Sequence, residues 1–120
     1  MARILIIEDT QEEREMLQEM LGTQGHDVVV APNGEEGLAV YREEPVDLVI
    51  TDIIMPKKDG VETIRELRRE DPDIKVIAIT GARGTFNRLP AAEYVGAHRT
   101  LMKPFMMSEL LDAVREELEA

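Results

Sequence analysis

The chain has 120 residues and 43% hydrophobic content, enough for one compact domain with a real core. It carries 25 acidic against 14 basic residues, a net charge of −11, and such a surface repels phosphate backbones, so direct nucleic-acid binding is not expected. The absence of cysteine excludes disulfides and thiolate metal sites. The apolar run from Ile4 to Ile7 is followed at once by acids and is neither a signal peptide nor a membrane span; no membrane insertion and a cytoplasmic location are the expectations.

Arg3 to Ile7 reads as a buried strand. Gln11 to Leu21 reads as a helix with Met16, Leu17, Met20 and Leu21 on one face, and Gly22 and Gly25 bracket its exit. Asp27 to Ala31 is a second strand. Pro32, Asn33 and Gly34 make a turn into a helix from Glu35 to Arg42, which stops ahead of Pro45. Leu48 to Thr51 is a third strand ending at Asp52, and Ile53 to Gly60 is a loop broken by Pro56 and the Asp59-Gly60 pair. Val61 to Glu70 is a third helix with Val61, Ile64 and Leu67 inward. Ile74 to Ile79 is a fourth strand ending at Thr80.

Between Thr80 and Gly96 the sequence contains Gly81, Gly84 and Pro90. A proline suits only the first turn of a helix, which predicts a loop from Gly81 to Arg88 and a short helix from about Pro90 to Val95. Leu101 and Met102 belong to a short fifth strand. Ser108 to Glu119 is a last helix with Leu110, Leu111, Val114 and Leu118 inward. The methionines Met16, Met20, Met102 and Met106 read as core filler, and His26 and His98, far apart, as surface or loop residues.

Strand and helix alternate along the whole chain, which predicts an α/β fold: a doubly wound, five-stranded parallel sheet of order 2-1-3-4-5, covered by helices on both faces. Ligands in such sheets sit beyond the carboxyl ends of the strands, at the switch point. The residues there are Glu8 and Asp9, Asp52, Thr80, and Lys103 followed by Pro104. Three carboxylates carry −3, and Lys103 reduces this only to −2. Like charges so close repel, and a divalent cation would cancel them; all-oxygen ligation by few protein donors suits Mg²⁺. The same pocket suits a phosphoryl group, and a carboxylate beside the metal can act as a nucleophile. Read singly, these residues are unremarkable: Glu8 and Asp9 a solvated pair or helix cap, Thr80 a strand end, Lys103 a surface lysine, Asp52 a loop acid. Their coincidence at matching strand ends points to the site.

In these features the sequence resembles the receiver domain of two-component response regulators. The resemblance covers essentially all of residues 1–120, a single receiver domain of flavodoxin-like fold, through ILIIEDT, APNGEEGL, DLVITDIIMPKKDG, VIAITG and LMKPF in order. It implies that Asp52 accepts phosphate from a phosphohistidine on a sensor histidine kinase or a histidine phosphotransfer protein. It implies further that Asp9 binds Mg²⁺ directly, Glu8 through water and Ile54 by its backbone carbonyl. Lys103 would contact a phosphoryl oxygen and pair with Asp52 beforehand, Thr80 would bond the phosphoryl group as a mobile switch, and Lys103-Pro104 would be a cis peptide. Such a chain would catalyse its own phosphotransfer and slow dephosphorylation, with no external substrate, and signal by protein contact to a downstream protein that the sequence does not name.

Two features depart from the family pattern. Thr100 stands where an aromatic is usual, and the segment GARGTFNRLP after the fourth strand is atypical. Both fall on the face commonly used for output, so the switch is expected to run through Thr80 and the Gly81 to Arg88 loop. A stand-alone receiver is the expectation over a piece of a longer protein. The competing readings are a phosphorylation-independent interaction module on the same fold, a phosphatase, and a flavin-binding domain. The last two are disfavoured by Ile54, where a dehalogenase-type phosphatase has a second aspartate, and by Glu8 and Asp9, where a flavin module has a phosphate loop.

Overall fold

A computed structural model describes residues 2–53, 60–81 and 99–119, with only the backbone path given for Thr80 and Gly81. Five parallel strands form one sheet in the order β2-β1-β3-β4-β5, as the alternation predicts. The strands are β1 (Arg3–Ile7), β2 (Asp27–Ala31), β3 (Leu48–Asp52), β4 (Lys75–Gly81) and β5 (Arg99–Lys103). The helices are α1 (Gln11–Gly22), α2 (Gly34–Glu43), α3 (Gly60–Glu70) and α4 (Met107–Glu119). Ile54 to Asp59, the short helix expected near Pro90, most of the Gly81 to Arg88 loop, and His98 lie outside the described residues.

The uninterrupted apolar runs of the strands follow from their being buried on both sides. Successive side chains point to opposite faces of the sheet. Along β1, Leu5 and Ile7 join Leu38, Tyr41, Ile64 and Leu67 beneath α2 and α3. Ile4 and Ile6 join Leu17, Leu21, Leu110 and Val114 beneath α1 and α4. Val49 and Val76 fall on the first side, Leu48, Ile50, Ile77 and Ile79 on the second. Register then places the strand ends side by side: Ile7 pairs with Thr51, Asp52 with Ile79, and Thr80 with Met102.

Local chemistry fixes the helix starts. The Asn33 side chain accepts from the Glu36 backbone N–H at 2.9 Å and caps α2. Helix α1 begins at Thr10, which makes no side-chain cap, with Glu12 and Glu13 near the positive end of the helix dipole. At its exit, Gly25 takes φ of +87°, a conformation glycine adopts without strain. Helices α2 and α3 are cross-tied on their outer edges: the Tyr41 hydroxyl donates to Asp71 at 2.6 Å, and Arg42 Nε donates to Glu70 at 2.8 Å.

Three sequence expectations change. Met16, Met102 and Met106 are not core filler; they are 50%, 46% and 69% exposed, and of the four only Met20 is buried. In α1 the inward stripe is Leu17, Met20 and Leu21, and Met16 sits one position off it. Strand β5 is longer than its apolar pair Leu101-Met102, because it is an edge strand held by backbone pairing to β4 and only half buried. Its first residue, Arg99, is anchored by Glu116 at 2.6 Å and Glu117 at 3.4 Å instead of by apolar packing. His26 is half-buried, with Nδ1 accepting from the Ala2 N–H at 3.2 Å. No described helix is long and apolar enough to cross a membrane.

Gly60 is where the fold meets the strand-end pocket. A Cβ there would lie 2.3 Å from the Asp52 carbonyl oxygen and 2.7 Å from Ile53 Cα, both backbone atoms that cannot swing aside. Gly60→Ala should therefore cost about 1–3 kcal/mol in urea denaturation, the usual range for overpacking, and shift the Asp52 and Ile53 amide resonances. Gly22→Ala, with nothing within 4 Å, should leave stability unchanged or slightly raised.

Candidate functional site

The carboxyl ends of β1, β3 and β5 bring an acidic pocket together. Asp52 closes β3 with 8% of its surface exposed, and Glu8, directly after β1, is 1% exposed. Glu8 is pinned three ways: its backbone N–H donates to Ala31 O at 3.1 Å, its carbonyl accepts from Arg14 Nη1 at 2.9 Å, and its side-chain Oε1 accepts from the Thr10 N–H at 3.2 Å. Beneath Asp52, the Ile53 N–H donates to Ile79 O at 2.9 Å and the Gly60 N–H to Ile53 O at 2.7 Å, which ties the end of β3 to β4 and to the start of α3.

Lys103 closes β5, two strands away from β3, and its long stem spans the end of β4. Its Nζ lies 2.7 Å from Glu13 Oε2, 3.2 Å from Glu8 Oε2 and 3.4 Å from Asp52 Oδ2. The following Lys103-Pro104 bond is cis. Thr80 sits at the same edge by its register with Met102. Asp9 is exposed, and its carboxyl lies against that of Glu8.

Of the residues read from sequence, Glu8, Asp52 and Lys103 therefore converge directly, while Asp9 stands at the rim and the Ile54 carbonyl lies outside the described residues. Sequence reasoning missed Glu13. Carboxylate oxygens of Glu8, Glu13 and Asp52 all lie within 4.8 Å of one another. The signal was present: Glu13 falls one turn before Leu17, on the inward stripe of α1 that also carries Met20 and Leu21. An acid on an apolar stripe calls for a partner.

The electrostatics show how strained this grouping is. Burial and the nearby Asp52 charge push the Glu8 carboxyl up from 4.5 to about 8, against the opposing pull of Lys103. Burial also raises Asp52, although Lys103 and the hydrogen bonds from Glu8, Lys103 and the Ile53 N–H resist it. At Glu13 burial pushes upward, but the hydrogen bonds with Lys103 and Glu8 and the ammonium charge outweigh it, and the carboxyl sits below its ordinary value. Burial opposes the charge on Lys103, yet Glu13, Asp52 and Glu8 together raise its pKa above the usual lysine value. With three acids against one ammonium, the pocket favours the protonated form of Glu8. An oxygen-only set with surplus negative charge fits a hard divalent cation, which would displace that proton.

Comparison with known proteins places this geometry. The response regulator receiver domain description matches residues 4–115. The chain belongs to that family. It is 37% identical over 116 residues to the probable transcriptional regulator ycf27 of Pyropia yezoensis, covering 97% of this chain and 47% of that protein. It is 37% identical over 115 residues to the transcriptional regulatory protein CpxR of Klebsiella pneumoniae subsp. pneumoniae, covering 96% of this chain and 48% of that one. The receiver therefore spans about half the length of these curated relatives. Among solved structures it superposes on a response regulator receiver domain protein from Clostridium thermocellum with a TM-score of 0.93 at 31% identity, covering 99% of this chain and 95% of that chain. The doubly wound sheet expected from the strand alternation and the flavodoxin-like receiver fold implied by the resemblance are the fold of this protein.

The raised Glu8 pKa has a measurable consequence in metal-free protein. The folded receiver keeps a proton that the unfolded chain releases near 4.5, so stability should fall as pH rises from about 4.5 to about 8. Glu8→Gln cannot ionise and should remove that part of the slope. Urea denaturation of both proteins at pH 5 and pH 8 checks this: the variant should gain on the wild type at pH 8 by about 1 kcal/mol or more, the equivalent of one pKa unit.

Proposed function

We propose that this receiver is a phosphorylation switch in which Asp52 takes a phosphoryl group from a phosphohistidine on a sensor histidine kinase or histidine phosphotransfer protein. The observation that carries this reading is a carboxylate at the end of β3, 8% exposed, with an ammonium 3.4 Å from its Oδ2. In the transfer an Asp52 carboxylate oxygen forms the new bond to phosphorus as the bond to the donor imidazole breaks, and the imidazole nitrogen keeps that electron pair. Lys103 then meets the added negative charge from its place beside Oδ2, and Thr80 offers a hydroxyl from the end of β4. Glu8 gives up its proton when a cation enters.

In this reading the cation is Mg²⁺, held by Glu8, Asp9 and Asp52 with the Ile54 carbonyl as a further ligand. When bound it neutralises charge on the phosphoryl oxygens. Glu13 is a neighbour of that set. Burial of Glu8 and Asp52 limits water at the acyl phosphate, so hydrolysis back to Asp52 is slow. The chain modifies itself and turns over no external substrate. Its acidic surface favours output by contact with a downstream protein, in the cytoplasm, over direct contact with nucleic acid. The switch itself runs through Thr80 and the segment that follows, since Thr100 offers no ring to rotate.

Intact-protein mass spectrometry after incubation with acetyl phosphate and Mg²⁺ tests the reading. Wild type should gain one phosphoryl group, lose it slowly after the donor is removed, and show no gain when Mg²⁺ is chelated. Asp52→Ala should show none under any condition. Equal labelling of wild type and Asp52→Ala would falsify the assignment of the acceptor.

A further inference from the structure

We propose that Glu13 is a positioning residue: it tethers the Lys103 ammonium at the rim of the pocket and so keeps the oxygens of Glu8 and Asp52 open to a divalent cation. The inference rests on the reading of Asp52 as a cation-assisted phosphate acceptor and adds a residue which that reading does not use. The shortest of the three Lys103 contacts is to Glu13, at 2.7 Å, against 3.2 Å to Glu8 and 3.4 Å to Asp52. The lysine side chain is 23% exposed and that of Glu13 35%, while those of Glu8 and Asp52 are 2% and 9%. The tether therefore pulls outward, away from the two deeply buried carboxylates.

The physical need for it follows from competition. An ammonium has three protons to donate, and here each has a carboxylate within reach. A divalent cation entering between Glu8 and Asp52 takes those same oxygens and repels the ammonium. Without Glu13, Lys103 would have only Glu8 and Asp52 to pair with, and leaving them would strand a half-buried charge. With Glu13, the ammonium keeps its best partner when the cation arrives. Glu13 is well placed for this because α1 is anchored at its start by the Arg14 bond to the Glu8 carbonyl at 2.9 Å and along its length by Leu17, Met20 and Leu21 in the core.

The test is Mg²⁺ titration followed by backbone amide NMR in wild type, Glu13→Gln, Lys103→Met and the double variant, with thermal melts to show that each folds. Glu13→Gln should weaken Mg²⁺ binding about fivefold, the size expected for a partly exposed ion pair, and should have no further effect once Lys103 is methionine. Equal weakening in both backgrounds would mean that Glu13 acts as a ligand or a bare charge and would overturn the tether. An unchanged affinity in Glu13→Gln would also overturn it, while leaving the phosphate-acceptor reading standing. A second measurement needs neither metal nor the lysine variant. In metal-free protein, Glu13→Gln should move the Lys103 ε-methylene signals and leave the Leu17 to Leu21 amides in place. If the wild type shows no Mg²⁺ response, the parent reading fails and this measurement decides the tether alone: unmoved Lys103 signals would end it.

Discussion

One ammonium, Lys103 Nζ, is shared by carboxylates at 2.7, 3.2 and 3.4 Å, and two of those acids are almost wholly buried. Taking such charges out of water costs several kcal/mol per ion unless each is well paired, and one positive charge cannot pair three. The remainder of the architecture makes this tolerable. Among the described residues an apolar cluster packs on each face of the sheet, and the backbone at Glu8 and Ile53 is tied to Ala31, Arg14, Ile79 and Gly60. The pocket is thus a local excess of charge held on a rigid frame, and a bound proton on Glu8 relieves part of it. A frame of this kind stores a preference for whatever brings positive charge, which is a more general property than affinity for one particular ion.

The frame was largely legible in the sequence because its cause is periodic. Short β-branched runs separated by helical stripes imply a parallel sheet, and right-handed crossovers leave few orders for its strands, of which 2-1-3-4-5 is a common one. Three site residues were legible for the same reason: Glu8, Asp52 and Lys103 stand immediately at strand ends, where chain position dictates spatial position. Glu13 was harder. Its place depends on the rotation of a helix, and within QEEREMLQEML it is one acid among several. Only its phase relative to Leu17 and Leu21 separates it from Glu12 and Glu15, which face solvent. Neighbouring residues at a strand exit also differ in burial: Glu8 is enclosed while Asp9 beside it stays exposed, a difference that composition cannot express.

Where periodicity is weak, the sequence misleads in a predictable direction. Hydrophobicity located Leu101 and Met102 but not Arg99 and Thr100, although all four pair with β4. An edge strand is held by its backbone and by flanking ion pairs, and neither leaves an apolar signature. The two sides of the sheet also differ in how they are fastened. Helices α2 and α3 are bolted to each other by Tyr41 with Asp71 and Arg42 with Glu70. Strand β5, on the opposite edge from β2, is paired along its length with β4 and carries ion pairs from Arg99 at its start and Lys103 at its end. A change in the partners of Lys103 therefore acts at the end of an edge strand.

The methionines give the surface a chemical asymmetry. Met16, Met102, Met106 and Met107 are 46–69% exposed, whereas Met20 is 9% exposed beneath α1. Oxidants reach thioethers according to their exposure, and a sulfoxide replaces a soft apolar tip with a polar one. Among the described methionines, oxidation would reach those on the flanks of α1, β5 and α4 first and roughen what those elements present to a partner, while Met20 stayed protected. The receiver would then persist as a folded protein with an altered exterior, a form of ageing that a melting curve would miss.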